Sequence, residues 1–593
     1  MLADLDLALK EPLKLVEKLF AHGGSSLDGF ELRVQETFQL LLKDTARDEI
    51  VSITSSSDVS NLPRAGSLVR FRAMVQDTGY GTELYRAVGD TSRDQVLMYG
   101  LEETETPGAG GSASTPPASV QDYSNLRERQ VFYVVSPPGE TKWVKRALDG
   151  TQLESAMSHL DLAPSSSTRS NPCAMLPNKA PLPHEPHFGM IVKIYTDLGE
   201  KLRSTDVYEF VGVLGESPIS NGFEDLFDRG GHDEAASDSS PSRVVPALHV
   251  LYAAPAPSPV ASPVLDAADL EPIRTELIEY IAREGGLGGD FEAAEWILLA
   301  LIAHIHTRHA SGLALGSLSL NLAFPIASSS SSASMRAQES SSSQTSSTGA
   351  GPGSRLVHVL ESIVPLLAPL SPTISSLNDL LTTRVSPRSR DESLDSGLLQ
   401  LSKGTTVVVD LVQLGEGKLN DTGVRNLRSL ATTISQQKLA YEFPFSSFEL
   451  ETDLNFIVVS EGKAIVPTDC VVYVEPRRCE ETGRDARERD DESRLDRFRS
   501  YLRSVRESEF SIPPRMSDVI QADFVERRQA SHAGPSSSSS SSSSKTAMTQ
   551  EDLLFRMTVS RLVATSLGKR ELDESSWTRT AELDERRKDR APL

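Results

Sequence analysis

At 593 residues the chain is long enough for roughly three or four ordinary domains and a sizeable core. Its 83 acidic and 60 basic residues leave a formal charge of -23, a mean field that repels nucleic acid and anionic membrane and favours protein partners. Three cysteines, Cys173, Cys470 and Cys479, exclude a disulfide framework and fit a reducing compartment.

Met1 to Leu9 lacks the basic start and long apolar core of a signal peptide, and no run approaches the roughly 18 apolar residues of a membrane span, so a soluble intracellular protein is expected. Leu5, Leu9, Leu13, Val16 and Phe20 fall at helical spacing. A second amphipathic run follows the Gly23/Gly24 break, from Phe30 to Leu42, so two short helices are predicted. From Ser67 the period changes: SLVRFRAMVQD alternates like a half-buried strand, TELYRAVGD reads as its hairpin partner, and QVFYVV is a third run. After a Ser- and Pro-rich insert come FGMIVKIYTDLG, STDVYEFVGVLG and RVVPALHVLYA. Five or six short strands with long loops suit a small, partly open barrel, with an OB-like fold the nearest match. Few basic residues alternate with aromatics along these strands, which favours a structural or protein-docking barrel over a single-strand site.

APAPSPVASPV reads as a stiff linker. Helices are predicted over Leu270 to Glu284 and Phe291 to His306, the second capped by Asp290. LGSLSLNLAF is a strand, and a Ser-rich tract then interrupts the fold. Next come a helix (Leu356 to Leu367), the strand VVVD, a helix (Val424 to Gln437) and the strands LNFIVVS and CVVYV. This alternation predicts an α/β domain with a mainly parallel sheet. The last hundred residues read as helices over Leu495 to Val505, Met516 to Arg527, a stripe capped by Thr549 and ended by Gly568, and Glu574 to Arg587. A run of nine serines, Ser536 to Ser544, cannot bury enough apolar surface to order itself.

The chain therefore divides into an N-terminal helical segment (residues 1–60), an OB-like β domain (61–253) with a disordered insert near 162–186, and a Pro-rich linker (254–265). An α/β domain (266–475) with a Ser-rich insert (328–354) follows, and then a C-terminal helical region (476–593) with a Ser-rich loop (531–545).

The strand VVVDLVQLGEGKL ends in Asp410, where a nucleotide hydrolase presents an acid to Mg²⁺. Such an enzyme also needs GxxxxGK[ST], whose backbone N–H groups cradle phosphates while its lysine reaches the terminal phosphate. Gly417-Lys418, Gly462-Lys463 and Gly568-Lys569 are the Gly-Lys pairs; none is followed by Ser or Thr, and none has a glycine five places earlier. The segment after LGSLSLNL, AFPIASSSSSASM, has neither glycine nor lysine, and Leu411 stands where a second acid would position water. GGLGGD reads as a turn rather than an anion nest, and His304, His306 and His309 read as packed or solvated histidines with no carboxylate or cysteine to complete a metal set. Glu475 to Ser500, dense in both signs of charge, reads as a solvated loop entering a helix. No catalytic, cofactor-binding or metal-binding residue is assigned, and no cofactor is implied.

The segments LVRFRAMVQD, ETKWVKRAL, IVKIYTD, VYEFVGVLG, LHVLYA, LGGDFEAAEWILLALIAHI, LGSLSLNL, LQLSKGTTVVVD, NDTGVRNLRSLATTISQQKLAYEF, DLNFIVVSEGKAIVPTDC and LDESSWTRTAELDERR, in this order, resemble the MCM-binding protein family. The resemblance spans nearly the whole chain outside the serine tracts. It implies likeness to subunits of the replicative MCM helicase: an N-terminal β part, then a degenerate AAA+-like α/β domain with a helical lid. LGGDFEAAEWILLAL would be the helix before a phosphate loop and SGLLQLSKGTTVVVD the segment ending in a Walker B acid; an acid is expected after that aspartate, but here it is Leu411. The implied function is a nuclear, non-catalytic partner of MCM subunits. It would act in their assembly or maintenance as complexes and in their release from chromatin during DNA replication, without sequence-specific nucleic-acid binding and without a membrane. The alternative is a divergent AAA+ ATPase that remodels the MCM complex.

Overall fold

The computed structural model describes residues 2–42, 44–88, 95–101, 125–147, 175–219, 243–260, 265, 267–310, 312–325, 351–379, 384–390, 393–462, 464–476, 492–532 and 549–591. Most of the serine-rich tracts, Cys173, Cys479 and most of the charge-dense segment after Glu475 lie outside them. The chain is a mixed α/β protein of two compact units. The first comprises Met1–Pro259, Arg384–Lys403 and Ala440–Leu450; the second comprises Val260–Thr383, Gly404–Leu439 and Glu451–Leu593.

Three helices open the first unit, α1 (Leu2–Lys10), α2 (Pro12–His22) and α3 (Phe30–Leu41), where the apolar spacing alone predicts two. Pro12 is the reason. Its ring disfavours helical backbone at the residue before it, and Glu11 sits at φ -140°, ψ 65°, so one apolar stripe becomes two helices. Strands β1 (Val51–Ile53), β2 (Leu68–Asp77), β3 (Thr82–Arg86), β4 (Leu126–Val135), β5 (Gly189–Ile194), β6 (Val207–Ile219) and β7 (Arg243–Pro255) form one sheet in the order β1-β2-β6-β7-β5-β4-β3. A further β2–β4 pairing closes five of them into a ring. Around it β5 and β7 run parallel, while β2–β6, β6–β7, β4–β5 and β2–β4 are antiparallel. β3 is not the hairpin partner of β2. It pairs antiparallel with β4, because the residues after β2 turn away and leave that edge to close the barrel.

β2 is buried along almost its whole length. Val69, Phe71, Ala73 and Val75 join Phe132, Val134, Met190, Val192, Ile194, Phe210, Leu214, Leu248 and Val250 in one core drawn from all five ring strands. Its Leu68 joins the core formed with Phe20, Phe30, Val34 and Phe38 of the helices, and its Met74 a third, smaller core. The two-residue period survives, but both faces are covered, so the strand is not half-solvated as its sequence predicts.

In the second unit α4 (Ala267–Glu284) and α5 (Phe291–Ile302) precede a small hairpin, β8 (Thr307–Arg308) and β9 (Ala314–Leu315), and then β10 (Leu320–Phe324). α6 (Pro352–Ile363) leads to β11 (Leu367–Leu370), whose first residue sequence reading placed at the end of a helix over Leu356 to Leu367. After β11 the chain forms β12 (Arg388–Arg390) and β13 (Ser393–Asp395), which belong to the first unit, then β14 (Thr406–Asp410) and α7 (Asp421–Gln436). β15 (Lys438–Glu442) and β16 (Ser447–Glu451) follow, joining β12 and β13 in a sheet ordered β13-β12-β15-β16. β17 (Asn455–Glu461) and β18 (Cys470–Tyr473) complete the second unit's sheet, ordered β11-β14-β17-β10-β18 with all four pairings parallel, as the alternation of helices and strands predicts.

Helices α8 (Glu492–Arg506), α9 (Pro514–His532), α10 (Gln550–Ser566) and α11 (Glu574–Asp589) end the chain. Phe498 and Tyr501 of α8, Leu562 and Val563 of α10 and Leu583 of α11 share one core with α4, α5, α6 and the parallel sheet. Thr549 caps α10 in a reciprocal box with Asp552, satisfying backbone donors that the helix cannot. Asp290 Oδ1 accepts from the backbone N–H of Glu292 and Ala293 at the start of α5, while its Oδ2 accepts from Arg590 at 2.7 Å and from Glu475 N–H at 3.0 Å. One buried carboxylate thus caps a helix and ties the end of the chain to it.

Candidate functional site

Asp410 ends β14, so its carboxylate stands at the carboxyl edge of the parallel sheet, where ligands bind in open α/β sheets. It does not face an open loop. Its Oδ1 accepts from the backbone N–H of Val412 at 3.0 Å, a turn that folds the acid back on its own strand end. Its Oδ2 lies against the first turn of α6, where Gly353 leaves no room for a Cβ, which would run into the carboxylate. No side chain of the N-cap residue Gly351 caps α6, so the carboxylate supplies negative charge at its positive end. The Leu411 side chain is buried, and its N–H donates to Val459 O at 2.8 Å, so the residue after the acid belongs to the core.

Among the described residues α6 is the helix that follows β10, and its N-terminus is flanked by Gly351 and Gly353. Sequence reading put the phosphate-loop position at AFPIASSSSSASM, directly after the strand, and so missed this Gly-Pro-Gly entry. Most of that segment lies outside the described residues. The signal was present as GAGPGSR, but the serine tract separates it from the strand. Ser354 and Arg355 follow, not the Lys-Ser or Lys-Thr that grips a terminal phosphate and Mg²⁺.

Of the Gly-Lys pairs, Gly568 has φ +78° and ends α10, while Lys569 Nζ donates to Asp573 at 2.7 Å and to Ser575 at 2.8 Å. Lys418 is engaged through its carbonyl, which accepts from Asn378. Lys463 lies outside the described residues. In GGLGGD, Gly289 N–H donates to Ala282 O and Asp290 N–H to Leu287 O, while Leu287 is wholly buried. The loop spends these donors on closing a turn, in line with its sequence reading.

α5 ends at Ile302, so His304, His306 and His309 do not share a helix face as helical spacing predicts. Backbone pairing with Leu315 and Leu313 draws His306 and His309 into the hairpin instead. Arg561 of α10 reaches two of them, NH2 to His304 Nε2 at 3.0 Å and NH1 to His306 Nδ1 at 2.5 Å. A guanidinium only donates, so both ring nitrogens must accept and both rings are neutral there. His304 can then present its Nδ1–H to Ile302 O at 3.3 Å. Burial, and then Arg561, lower the pKa of both, His306 to about 4. Among the described residues no group of three or more His, Cys, Asp and Glu is placed to hold a metal. Cys470 is buried, and burial pushes its thiol far above the ordinary range. No helix among the described residues is long and apolar enough to cross a membrane.

Inside the first unit a buried polar cluster fixes a segment distant in sequence. Lys179 Nζ pairs with Asp77 at 2.5 Å and donates to Leu394 O at 3.0 Å, and Leu394 N–H donates to Asp77 Oδ2 at 3.1 Å. Gln400 Nε2 donates to Gln76 O at 2.8 Å and to Ser204 Oγ at 3.2 Å, and Ser204 Oγ bonds Tyr441 Oη at 2.9 Å. Burial lowers the Lys179 pKa, against the pull of Asp77.

Fold and site together define a mixed α/β protein that joins a closed β barrel to a parallel sheet whose terminal acid is turned onto its own helix. The family model for the mini-chromosome maintenance replisome factor matches residues 38–172 and 154–591, and the chain belongs to that family. It is 28% identical over 662 residues to the mini-chromosome maintenance complex-binding protein of Danio rerio, covering 97% of this chain and 96% of that protein. The proteins of the same name from Homo sapiens and Arabidopsis thaliana are 26% identical over 675 and 618 residues, covering 98% and 95% of this chain and 97% and 94% of their own lengths.

Proposed function

We propose that this chain is a non-catalytic binding partner of MCM helicase subunits, acting in the nucleus in assembly and maintenance of MCM complexes and their release from chromatin during replication. The observation that carries the reading is near-full-length similarity to proteins whose name states that they bind the mini-chromosome maintenance complex. We read the five-strand ring, with its parallel β5–β7 contact, as an OB-like barrel, and the second unit as a degenerate AAA+-like fold with α8 to α11 as its lid. Support for the second part is positional: a helix N-terminus rich in glycine after the first sheet strand, and an acid at the end of β14. A relative of a ring subunit can keep the surfaces that pair with neighbours after losing phosphate chemistry, because the two use different residues.

Immobilised full-length protein should retain at least one recombinant MCM subunit at low salt; retention of none ends this reading. The rival, a divergent AAA+ ATPase remodelling the MCM complex, draws on Asp410 and the glycines beside it. It predicts Mg²⁺-dependent ATP binding by the purified chain that Asp410→Ala abolishes, whereas the non-catalytic reading predicts no turnover in either form.

A further inference from the structure

Arg561 of α10 is part-buried, and among the described residues no carboxylate pairs with it; burial alone lowers its pKa. Other arginines buried in the second unit are matched with acids: Arg274 with Glu295, Arg499 with Glu492, Arg556 with Asp523 and Arg590 with Asp290. Charges taken out of water are normally paired in this way, so an unmatched one is a functional signal. The Nη1 and Nη2 of Arg561 donate to His306 Nδ1 at 2.5 Å and His304 Nε2 at 3.0 Å, which uses two of the five N–H donors of a guanidinium and leaves three. His306 is exposed, so the cluster opens to solvent. Gly316 makes room for the contact: a Cβ there would fall 2.3 Å from His306 Nδ1 and 3.0 Å from Arg561 Nη1. The charges that bear on the two rings are Arg561, Arg506 and Asp453, two arginines against one acid, so the local field is positive in a chain of net charge -23.

We infer that Arg561, His304 and His306 form a site for a phosphate monoester, whose oxygens accept from the planar guanidinium fork and whose two charges draw protons onto the neighbouring rings. A neutral ring accepts from Arg561; once protonated it can only donate, so it releases its hold on the arginine and joins it in donating to the anion. Binding is therefore linked to proton uptake. A carboxylate, with a single charge and two oxygens, does less to hold two protonated rings beside an arginine. The phosphate group can come from a phosphorylated serine or threonine of a protein or from free phosphate. The site goes beyond the MCM-binding reading and does not depend on it.

The test titrates the full-length chain by calorimetry, at constant ionic strength, with N-acetyl-O-phosphoserine amide, inorganic phosphate, sodium acetate and unphosphorylated N-acetylserine amide. Both phosphate compounds should saturate one site, and acetate and the unphosphorylated amide should not. Tighter binding of the phosphoserine amide assigns a phosphorylated protein ligand, and equal affinity assigns free phosphate. Arg561→Gln should weaken binding by roughly tenfold or more, as loss of a charge-assisted fork does. Arg561→Lys, which keeps the charge without the fork and serves where the glutamine variant does not fold, should fall between the two. Arg515→Gln, at an exposed position of α9, should bind as the wild type does. Sulfate, whose charge does not change in this range, should bind several-fold more tightly at about pH 5.5 than at about pH 7.5, and His304→Gln/His306→Gln should lose that difference. No saturable phosphate binding by the wild type, wild-type affinity in a folded Arg561→Gln, or acetate binding as tight as phosphate overturns the site. None of these outcomes bears on MCM retention, which is measured separately.

Discussion

Lys179 and Asp77 are each almost wholly buried, and neither charge is stable in that interior without the other. Replacing Lys179 with Met strands the carboxylate and removes the donor to Leu394 O, so the first unit should lose about 3–5 kcal/mol. Calorimetry should show its unfolding transition moved to markedly lower temperature; an unmoved transition would mean the cluster is ornamental. Asp410 behaves differently. It is half-buried and serves a turn and a helix end, so Asp410→Ala should cost the turn hydrogen bond and the helix-end term together, about 1–2.5 kcal/mol, and leave MCM retention at the wild-type level. Loss of retention with an intact melt would place Asp410 in the binding surface and contradict its reading as a structural remnant.

At the scale of elements, the β8–β9 hairpin and α10 meet through Arg561 and two neutral histidines. The folded pKa of His306 is about 4 against an ordinary 6.5, and that of His304 is also lowered, first by burial and then by Arg561. A lowered folded pKa means the unfolded chain takes up the proton first. The stabilisation is therefore whole above about 6.5 and is lost as pH falls from there towards about 4. His304→Gln/His306→Gln keeps an acceptor for the guanidinium and removes the titration, so its unfolding midpoint should fall less than the wild type's between those pH values. Parallel pH profiles would refute the assignment. The same region shows what the sequence could and could not disclose. Asp290 and Thr549 were readable as caps because capping depends on local chain order, and VVVD and LNFIVVS as strands because they are short, mainly apolar runs rich in β-branched residues. The histidine hairpin, β11 and the β12–β13 pair were not. Two- to four-residue strands such as Arg388–Arg390 carry no period, and their pairing is decided by partners far along the chain, as Lys179 decides the place of Leu394.

On the scale of the whole molecule, a five-strand ring of this kind raises the question of single-stranded nucleic acid, which needs a basic groove and aromatic platforms. The ring's phenylalanines Phe71, Phe132 and Phe210, with Phe188 beside β5, are in its core, and Tyr133 is buried in a second one. Four of its cations are paired, Arg72 with Glu140 at 2.8 Å, Arg129 with Glu83 at 2.9 Å, Lys193 with Glu83 at 3.7 Å and Arg70 with Asp48 at 3.8 Å, and beside it Arg47 pairs with Glu209. A phosphate backbone would have to displace carboxylates already in contact, against the repulsion of a chain with net charge -23. Fluorescence anisotropy of a labelled oligonucleotide of about 20 nucleotides should therefore show no saturable binding even near 50 mM salt, where counterion release favours association most. Micromolar binding that falls steeply as salt rises would require a cationic track and would make the barrel a strand-binding one.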